Sequence, residues 1–278
     1  MNNKELKSLV ELLDDDDVEV VAHVEQKLKT LGTGVIPFLE EGWEQTFNPK
    51  AHERIEDLVH FLQFELAQER LTHWYEHEKE DLLKGMWILA TYQYPDLEYT
   101  QMSNKIEQLY REIWTQMDPD LLPFDQIKRI NSMLFEKYKF RANTKNFHAP
   151  GNSMINSVLE SSKGNPISLS ALYLLITQKL GLPIFGVNLP NLFVLTYKTD
   201  KLQFYINVFN RGLIFSKEDI DNYIAQLQLM PQNEYFEPCD HGQIIKRSLR
   251  NLMVAFDKIG DYHKSDEIKK LMSLITGS

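Results

Sequence analysis

The sequence predicts an α+β fold, mostly helical, in which a run of short strands follows one strongly buried helix. Three observations predict it. Apolar residues recur at helical spacing through most of residues 1–138. Beyond Gly181 the pattern changes to the short β-rich runs "FGVNL", "LFVLTY", "FYINVF" and "LIF", separated by turn chemistry such as "KTDK" and "NRG". Helical spacing then returns from Ile244 to Leu274. At 278 residues, with 43% hydrophobic and 25% charged residues, the chain is long enough for a sizeable core in one large or two to three small domains. The expected division is a helical N-terminal region over residues 1–79, a core with its own leading helices over residues 80–236, and a helical hairpin tail over residues 237–278.

The N-terminal region opens with "LKSLVELL", a turn "DDDD", and "VEVVAHVEQKLKTLG", whose Val18, Val21, Val24, Leu28 and Leu31 sit close to helical spacing. Gly32 and Gly34 end that helix and "VIPFLEEGWEQ" begins another. Asn48-Pro49 punctuates, and the following helix aligns Ile55, Leu58, Phe61, Leu62 and Leu66 on one face. Paired helices with a G-x-x-x-[IL]-P-x-L link resemble a HEAT-type repeat. The aspartates at Asp14 to Asp17 invite a calcium reading, but an EF-hand loop counted from Asp14 has Glu19 at the sixth position, where the sharp turn needs glycine. They are expected to be a solvated helix start, favourable to the helix dipole.

"HWYEH", His73 to His77, matches the H-x-x-E-H pattern of inverzincin peptidases. On a helix, His73 and His77 share a face and suit zinc, with Glu76 as base. A third ligand is unspecified, since Glu160 is generic, and the flanking sequence does not resemble those peptidases. The expectation is a solvated face beside Trp74, with no metal and no cofactor. Trp74, Trp87, Trp114 and the Tyr92/Tyr94 pair fall among helical apolar positions and are expected to pack, with a partner-binding surface as the alternative.

From Glu80 to about Tyr138 the chain is again helical, and a short helix from about Met154 to Ser161 follows "NTKNFHAPGNS". Then comes "GNPISLSALYLLITQKLGLP". Asn165 is a preferred N-cap and Pro166 suits the first helical position. Ile167, Leu169 and the run Ala171 to Ile176 occupy most of the helical wheel, so this helix is buried on most sides. Gly181 is its expected stop. A buried helix therefore presents its N-terminus to a site beside strands, the frame in which a helix dipole activates a nucleophile. "SKEDIDNYIAQLQ" reads as a helix capped by Ser216, and a last helix pair closes the chain.

The segment "NSMINSVLESSKGNPISLS", Asn152 to Ser170, resembles the bacterial transglutaminase-like proteins of the SirB type, whose motif has the form N-S-x-L-N-x-V-L-E-x-x-x-G-x-P-I-S-L-S. "KLGLPIFGVNLPNLF" is similar to that family's "RLGLP…GV…PGHF", and "NVF" at Asn207 to Phe209 to its "DPF". "RSLRNLMVAFDKIGDYHKSDEIKKL" is similar to its tetratricopeptide-like tail, here a single unit expected to cap the domain. The resemblance covers roughly Asp81 to Leu274. It implies a cysteine-peptidase-like core, with a central helix on a small antiparallel sheet and a Cys–His–Asp triad. The triad positions that it implies fall on Pro166 (with Ser168 two residues on), Leu192 and Asn207. Proline is no nucleophile and leucine accepts no proton, so the triad is degenerate.

The expected function is a non-catalytic transglutaminase-like protein with a protein-interaction or regulatory role and an unidentified protein partner. The competing class is a cysteine-dependent hydrolase or acyltransferase with a relocated nucleophile: Cys239, served by His241 or His148. Ser168 or Ser170 is the weaker candidate, each better read as a helix residue bonding to the main chain. A net charge of −10 and a pI of about 5.3 argue against nucleic acid, the densest basic cluster being the short "KRSLR" beginning at Lys246. One cysteine excludes an internal disulfide and fits a reducing compartment. The acidic N-terminus is unlike a signal peptide, and no apolar run approaches a membrane span. The expected location is the cytoplasm.

Overall fold

The computed structural model describes residues 2–118 and 120–275 and divides into two compact units, Met1–Arg70 and Leu71–Ser278. The first unit holds α1 (Asn3–Glu11), α2 (Val18–Leu31), α3 (Ile36–Gln45) and residues 49–70 of α4 (Pro49–His77). Asn2 caps α1 in a reciprocal capping box with Glu5, and Asp17 caps α2 by accepting the Glu19 N–H. Asp14 is tied into the unit as well. Its carboxylate accepts from Thr46 Oγ1 at 3.1 Å and from Asn48 Nδ2. Leu13, Leu28, Leu39, Leu58 and Leu62 form the core of this unit. Phe61, expected on the buried face of α4, is instead exposed, with the Lys29 ammonium 4.9 Å from its ring centre; Phe64 is buried in its place.

The second unit carries the sheet. Its leading helices are α5 (Leu82–Thr91), α6 (Tyr99–Trp114) and α7 (Pro123–Asn131), the last continuing as a π-helical stretch over Ser132–Lys137. β1 (Arg141–Ala142) pairs in parallel with β2 (Lys163–Gly164), which follows α8 (Ile155–Ser161). Then comes α9 (Pro166–Lys179), and after it β3 (Ile184–Leu189), β4 (Leu192–Lys198), β5 (Gln203–Asn207) and β6 (Leu213–Phe215). These four strands form one antiparallel sheet in sequential order, with Val187 opposite Val194, Leu195 opposite Ile206, and Ile206 opposite Ile214. α10 (Lys217–Gln226), α11 (His241–Ile259) and α12 (Tyr262–Leu274) complete the chain. The structure is 67% helical with a small antiparallel sheet, the α+β class expected.

α9 organises this unit. Every residue from Ile167 to Thr177 is buried, so no face of the helix is left for water. It packs against β3 and β4 on one side and α6 and α11 on others. The opposite face of the sheet is closed by α10. Val187, Leu189, Val194 and Tyr205 meet Ile220 and Ile224 there.

Among the tryptophans, Trp74 is fully buried, with its Nε1 donating to the Asp81 carbonyl at 2.8 Å. A Cβ on Gly85 would come within 2.8 Å of that indole, which is why the facing helix carries glycine. Trp87 donates to the Leu97 carbonyl, whereas Trp114 is exposed.

Burial leaves the N-terminal amides of α9 dependent on protein acceptors. Asn165 Oδ1 accepts from the Ser168 N–H at 3.0 Å, and Ser168 Oγ accepts in return from the Asn165 N–H at 3.1 Å. Asn165→Ala removes a cap and strands the buried Ser168 N–H. It is expected to cost about 1–3 kcal/mol in urea unfolding, with Asn165→Asp retaining the cap and losing less. A change below about 0.3 kcal/mol on this scale would contradict the role assigned to the cap.

Candidate functional site

The loop before α8 and the N-terminus of α9 are built as one unit. Asn152, nearly buried, donates from Nδ2 to the carbonyls of Asn146 at 2.7 Å and Phe147 at 2.9 Å, while its Oδ1 accepts from Asn143 Nδ2 at 2.8 Å. Its own carbonyl accepts the Ser168 hydroxyl at 2.6 Å. Asn165 Nδ2 donates to Ser153 Oγ at 2.8 Å. The result is a fixed loop that holds Phe147 and His148 beside the start of α9. Ser168 is wholly buried within this network, and Ser170 is buried too.

This end of α9 opens onto a cavity of about 460 Å³. Its walls come from the loop (Phe147, His148), the helix start (Asn165, Pro166), the β3–β4 turn (Pro190, Asn191) and α11. α11 contributes Arg247, Arg250 and Asn251, and Phe193 of β4 forms an apolar patch with Val254. Among the described residues, none that lines it is acidic. Arg247 Nη1 donates to Asn188 Oδ1 at 3.0 Å and to the Leu189 carbonyl at 3.4 Å. Arg250 is exposed, and neither arginine pairs with a carboxylate among the described residues. Burial, and then the nearby Arg250 charge, pull the Arg247 pKa below its ordinary value.

Of the three positions expected to correspond to a triad, Pro166 lines the cavity and the other two do not. Leu192 packs on the face of the sheet that meets α10. Asn207 ends β5, two residues after Tyr205 and so on that same face by strand alternation, and its Oδ1 accepts the Asn210 N–H at 3.1 Å. The β4 neighbours that reach the cavity are Asn191, in left-handed conformation at φ 57°, and Phe193.

Cys239 is elsewhere. Its N–H donates to the Gly186 carbonyl at 2.8 Å, forming an isolated bridge with β3. Its Sγ lies 3.0 Å from where a Cβ on Gly186 would stand, so glycine there makes room for the thiol. Burial, with the Asp240 carboxylate adding to it, pushes the thiol from its ordinary 9.0 up to about 12. His241 faces Gln178, near the C-terminal end of α9, with 3.0 Å between His241 Nε2 and Gln178 Nε2. His148, at the cavity, stands at the other end of the helix. No hydrogen bond joins Cys239 to a histidine among the described residues. His73 and His77 are exposed neighbours on α4, their ring centres 5.0 Å apart, each with a carboxylate oxygen of Glu78 or Glu76 at 3.6 Å.

The cavity arginines were missed as site residues, although a signal for them existed. "KRSLRN" places Arg247, Arg250 and Asn251 at i, i+3 and i+4, hence on one face of α11. Read as a short linear cluster, the same residues only argued against a nucleic-acid patch.

A sequence profile of the transglutaminase-like superfamily matches residues 100–250, which includes β1 to β6, α9 and the first half of α11. A UPF0162 protein of Xylella fastidiosa is 24% identical over 215 residues, covering 71% of this chain and 74% of that one. A UPF0162 protein of Vibrio cholerae is 29% identical over 129 residues, 44% of this chain and 47% of the relative. F-box only protein 21 of Mus musculus is 30% identical over 105 residues, 35% of this chain and 17% of that protein. No solved structure matches the chain. No helix among the described residues is long and apolar enough to cross a membrane.

The shift of the Cys239 thiol has a direct kinetic consequence. Three pH units lower the thiolate fraction at neutral pH roughly a thousandfold, so iodoacetamide is expected to label native Cys239 far more slowly than the denatured chain. Because the folded pKa lies above the unfolded one, the stability tied to the neutral thiol is present below about pH 9 and is lost as pH rises toward 12. Cys239→Ala is expected to flatten that alkaline loss. Rapid labelling at pH 7, at the rate of a free thiol, would contradict the raised pKa of this half-buried thiol.

Proposed function

The chain belongs to the transglutaminase-like superfamily, and we propose that it uses the cleft at the N-terminus of α9 for binding rather than for triad chemistry. One observation carries this reading. The helix start that supplies a nucleophile in a thiol acyltransferase carries Pro166 here, while the sole cysteine of the sequence packs on Gly186 with its pKa raised to about 12. A thiol attacks as the thiolate and needs a base within hydrogen-bond reach. Cys239 has neither advantage. Ser168 is buried with its hydroxyl donated to the Asn152 carbonyl, which supports a structural role for it.

The motif from Asn152 to Ser170 supports assignment to the SirB type. α11 and α12, joined at Gly260 in left-handed conformation, are read as one tetratricopeptide-like hairpin. The regulatory or interaction role follows from keeping the frame and its cleft without the reacting groups. The division at residues 79 and 236, the HEAT-like reading of the N-terminal helices and a cytoplasmic location are proposed on the sequence patterns that suggested them. His73 and His77 are read as a solvated pair without a resident metal.

The test is an acyl-transfer assay on the full chain, following incorporation of a fluorescent primary amine into a glutamine-containing protein and hydrolysis of an activated ester. The purified protein is expected to show no turnover above that of Cys239→Ala. Turnover that disappears in Cys239→Ala would overturn the reading in favour of a cysteine-dependent hydrolase or acyltransferase.

A further inference from the structure

Two cations facing one cavity with no carboxylate between them are an electrostatic cost that the free protein carries. Arg247 and Arg250 stand one helical turn apart on α11, and both line the cavity at the start of α9. They repel each other: the Arg250 charge is one cause of the depressed Arg247 pKa. The chain as a whole is acidic, at −10, yet among the described residues no acidic side chain lines these walls. The α9 N-terminus points the positive end of a helix of 14 residues toward the same space.

Arg247 is also preset. Asn188 and the Leu189 carbonyl hold its Nη1, half-burying the guanidinium at the cavity wall. A guanidinium has five N–H donors in a planar fork, and among the described residues Arg247 hydrogen-bonds through Nη1 alone. Arg250 is exposed. A held fork beside an exposed one suits a planar or tetrahedral oxyanion, for which arginine supplies bidentate hydrogen bonds.

The remaining walls are mixed: His148, Ser153, Asn165, Asn191 and Asn251 are polar, and the rest are apolar or small. Phe147, Phe193, Pro166 and Val254 face the cavity, and Phe147 packs edge-on against Phe209 with ring centres 6.1 Å apart. A volume of about 460 Å³ lies within the range of small-molecule sites and exceeds what an inorganic ion needs.

We propose that this cavity binds a small organic anion, its carboxylate or phosphate held by Arg247 and Arg250 and its apolar body lying against the exposed Phe147 ring and Val254. The assignment rests on the reading of the cleft as a binding site and names the class of its ligand. Charge complementarity identifies the headgroup, and the Phe147 ring identifies the body. Neutralising the arginine pair also removes a repulsion present in the free protein, so occupancy stabilises the fold.

The experiment is a titration of the isotope-labelled full chain, followed by amide shifts of α11. The probes are phenyl phosphate, 3-phenylpropionate, the uncharged 3-phenylpropan-1-ol and inorganic phosphate. At least one aromatic anion is expected to give saturable shifts below about 10 mM, centred on residues 247–254, and at least tenfold tighter than the alcohol or inorganic phosphate. The ratio of the two aromatic anions tells a phosphate ligand from a carboxylate one. Arg250→Glu, at an exposed position, is expected to weaken the better anion at least tenfold. Lys246→Glu makes the same charge change beside the cavity and is expected to leave the affinity within about threefold, separating a local contact from net charge. Equal binding of alcohol and acids, unchanged affinity in Arg250→Glu, equal loss in both variants, or no saturable shift with either aromatic anion would each overturn the proposal. None of these results bears on the amine-transfer assay, so the ligand assignment and the non-catalytic reading fail separately.

Discussion

A helix buried on every side must satisfy its first amides without water, and α9 meets that demand with two side chains. Asn165 and Ser168 cap each other's backbone N–H groups, and Ser168 passes its own hydroxyl to the Asn152 carbonyl. Buried N–H groups left without acceptors cost about 1–3 kcal/mol each, so this closed set of bonds is a condition for burying the helix. The rest of the second unit follows from it. Asn152 orders the loop that brings Phe147 and His148 to the helix start, and the sheet and α11 supply the apolar surfaces that cover α9.

The same arrangement sets the two candidate bases at opposite ends of α9. Pro166 to Gln178 spans twelve residues, about 18 Å along a helix. His148 and the cavity stand near one end, and His241 stands by Gln178 near the other. Cys239 is held to β3 by a backbone hydrogen bond and packs into the space left by Gly186. Desolvation there favours the neutral thiol, and the Asp240 carboxylate acts in the same direction. Two independent physical effects therefore oppose the thiolate, while the positive end of the α9 dipole faces a place with no thiol.

What the cleft does hold is positive charge and aromatic surface. That combination arises because α11, from the C-terminal part of the chain, lies across the N-terminus of α9 and aims one face at it. The i, i+3, i+4 spacing of Arg247, Arg250 and Asn251 matters only once that face has a neighbour. An arginine pair on a solvated helix would be unremarkable electrostatics; at the wall of a cavity without acids it becomes a recognition element.

The sequence by itself determined the local features that depend on neighbouring residues. The all-round apolar run of α9, its Asn-Pro start, the Ser216 cap of α10 and the alternating strands after Gly181 were legible because period and capping chemistry are written within a few residues of each other. Even so, Phe61 was misplaced: helical periodicity marks a stripe but not its edges, and Lys29 from another helix covers the ring at that edge. Which side chains share the cleft was decided only in the tertiary structure. Leu192 and Asn207 turn to the α10 face because each strand's alternation is anchored by the sheet register, and two residues adjacent in sequence point to opposite faces. Cys239, Gly186, Arg247 and Asn188 meet across separations of tens of residues, where no local pattern carries information. Burial of the thiol and convergence of the arginines are properties of packing, and packing is what the linear order leaves unspecified.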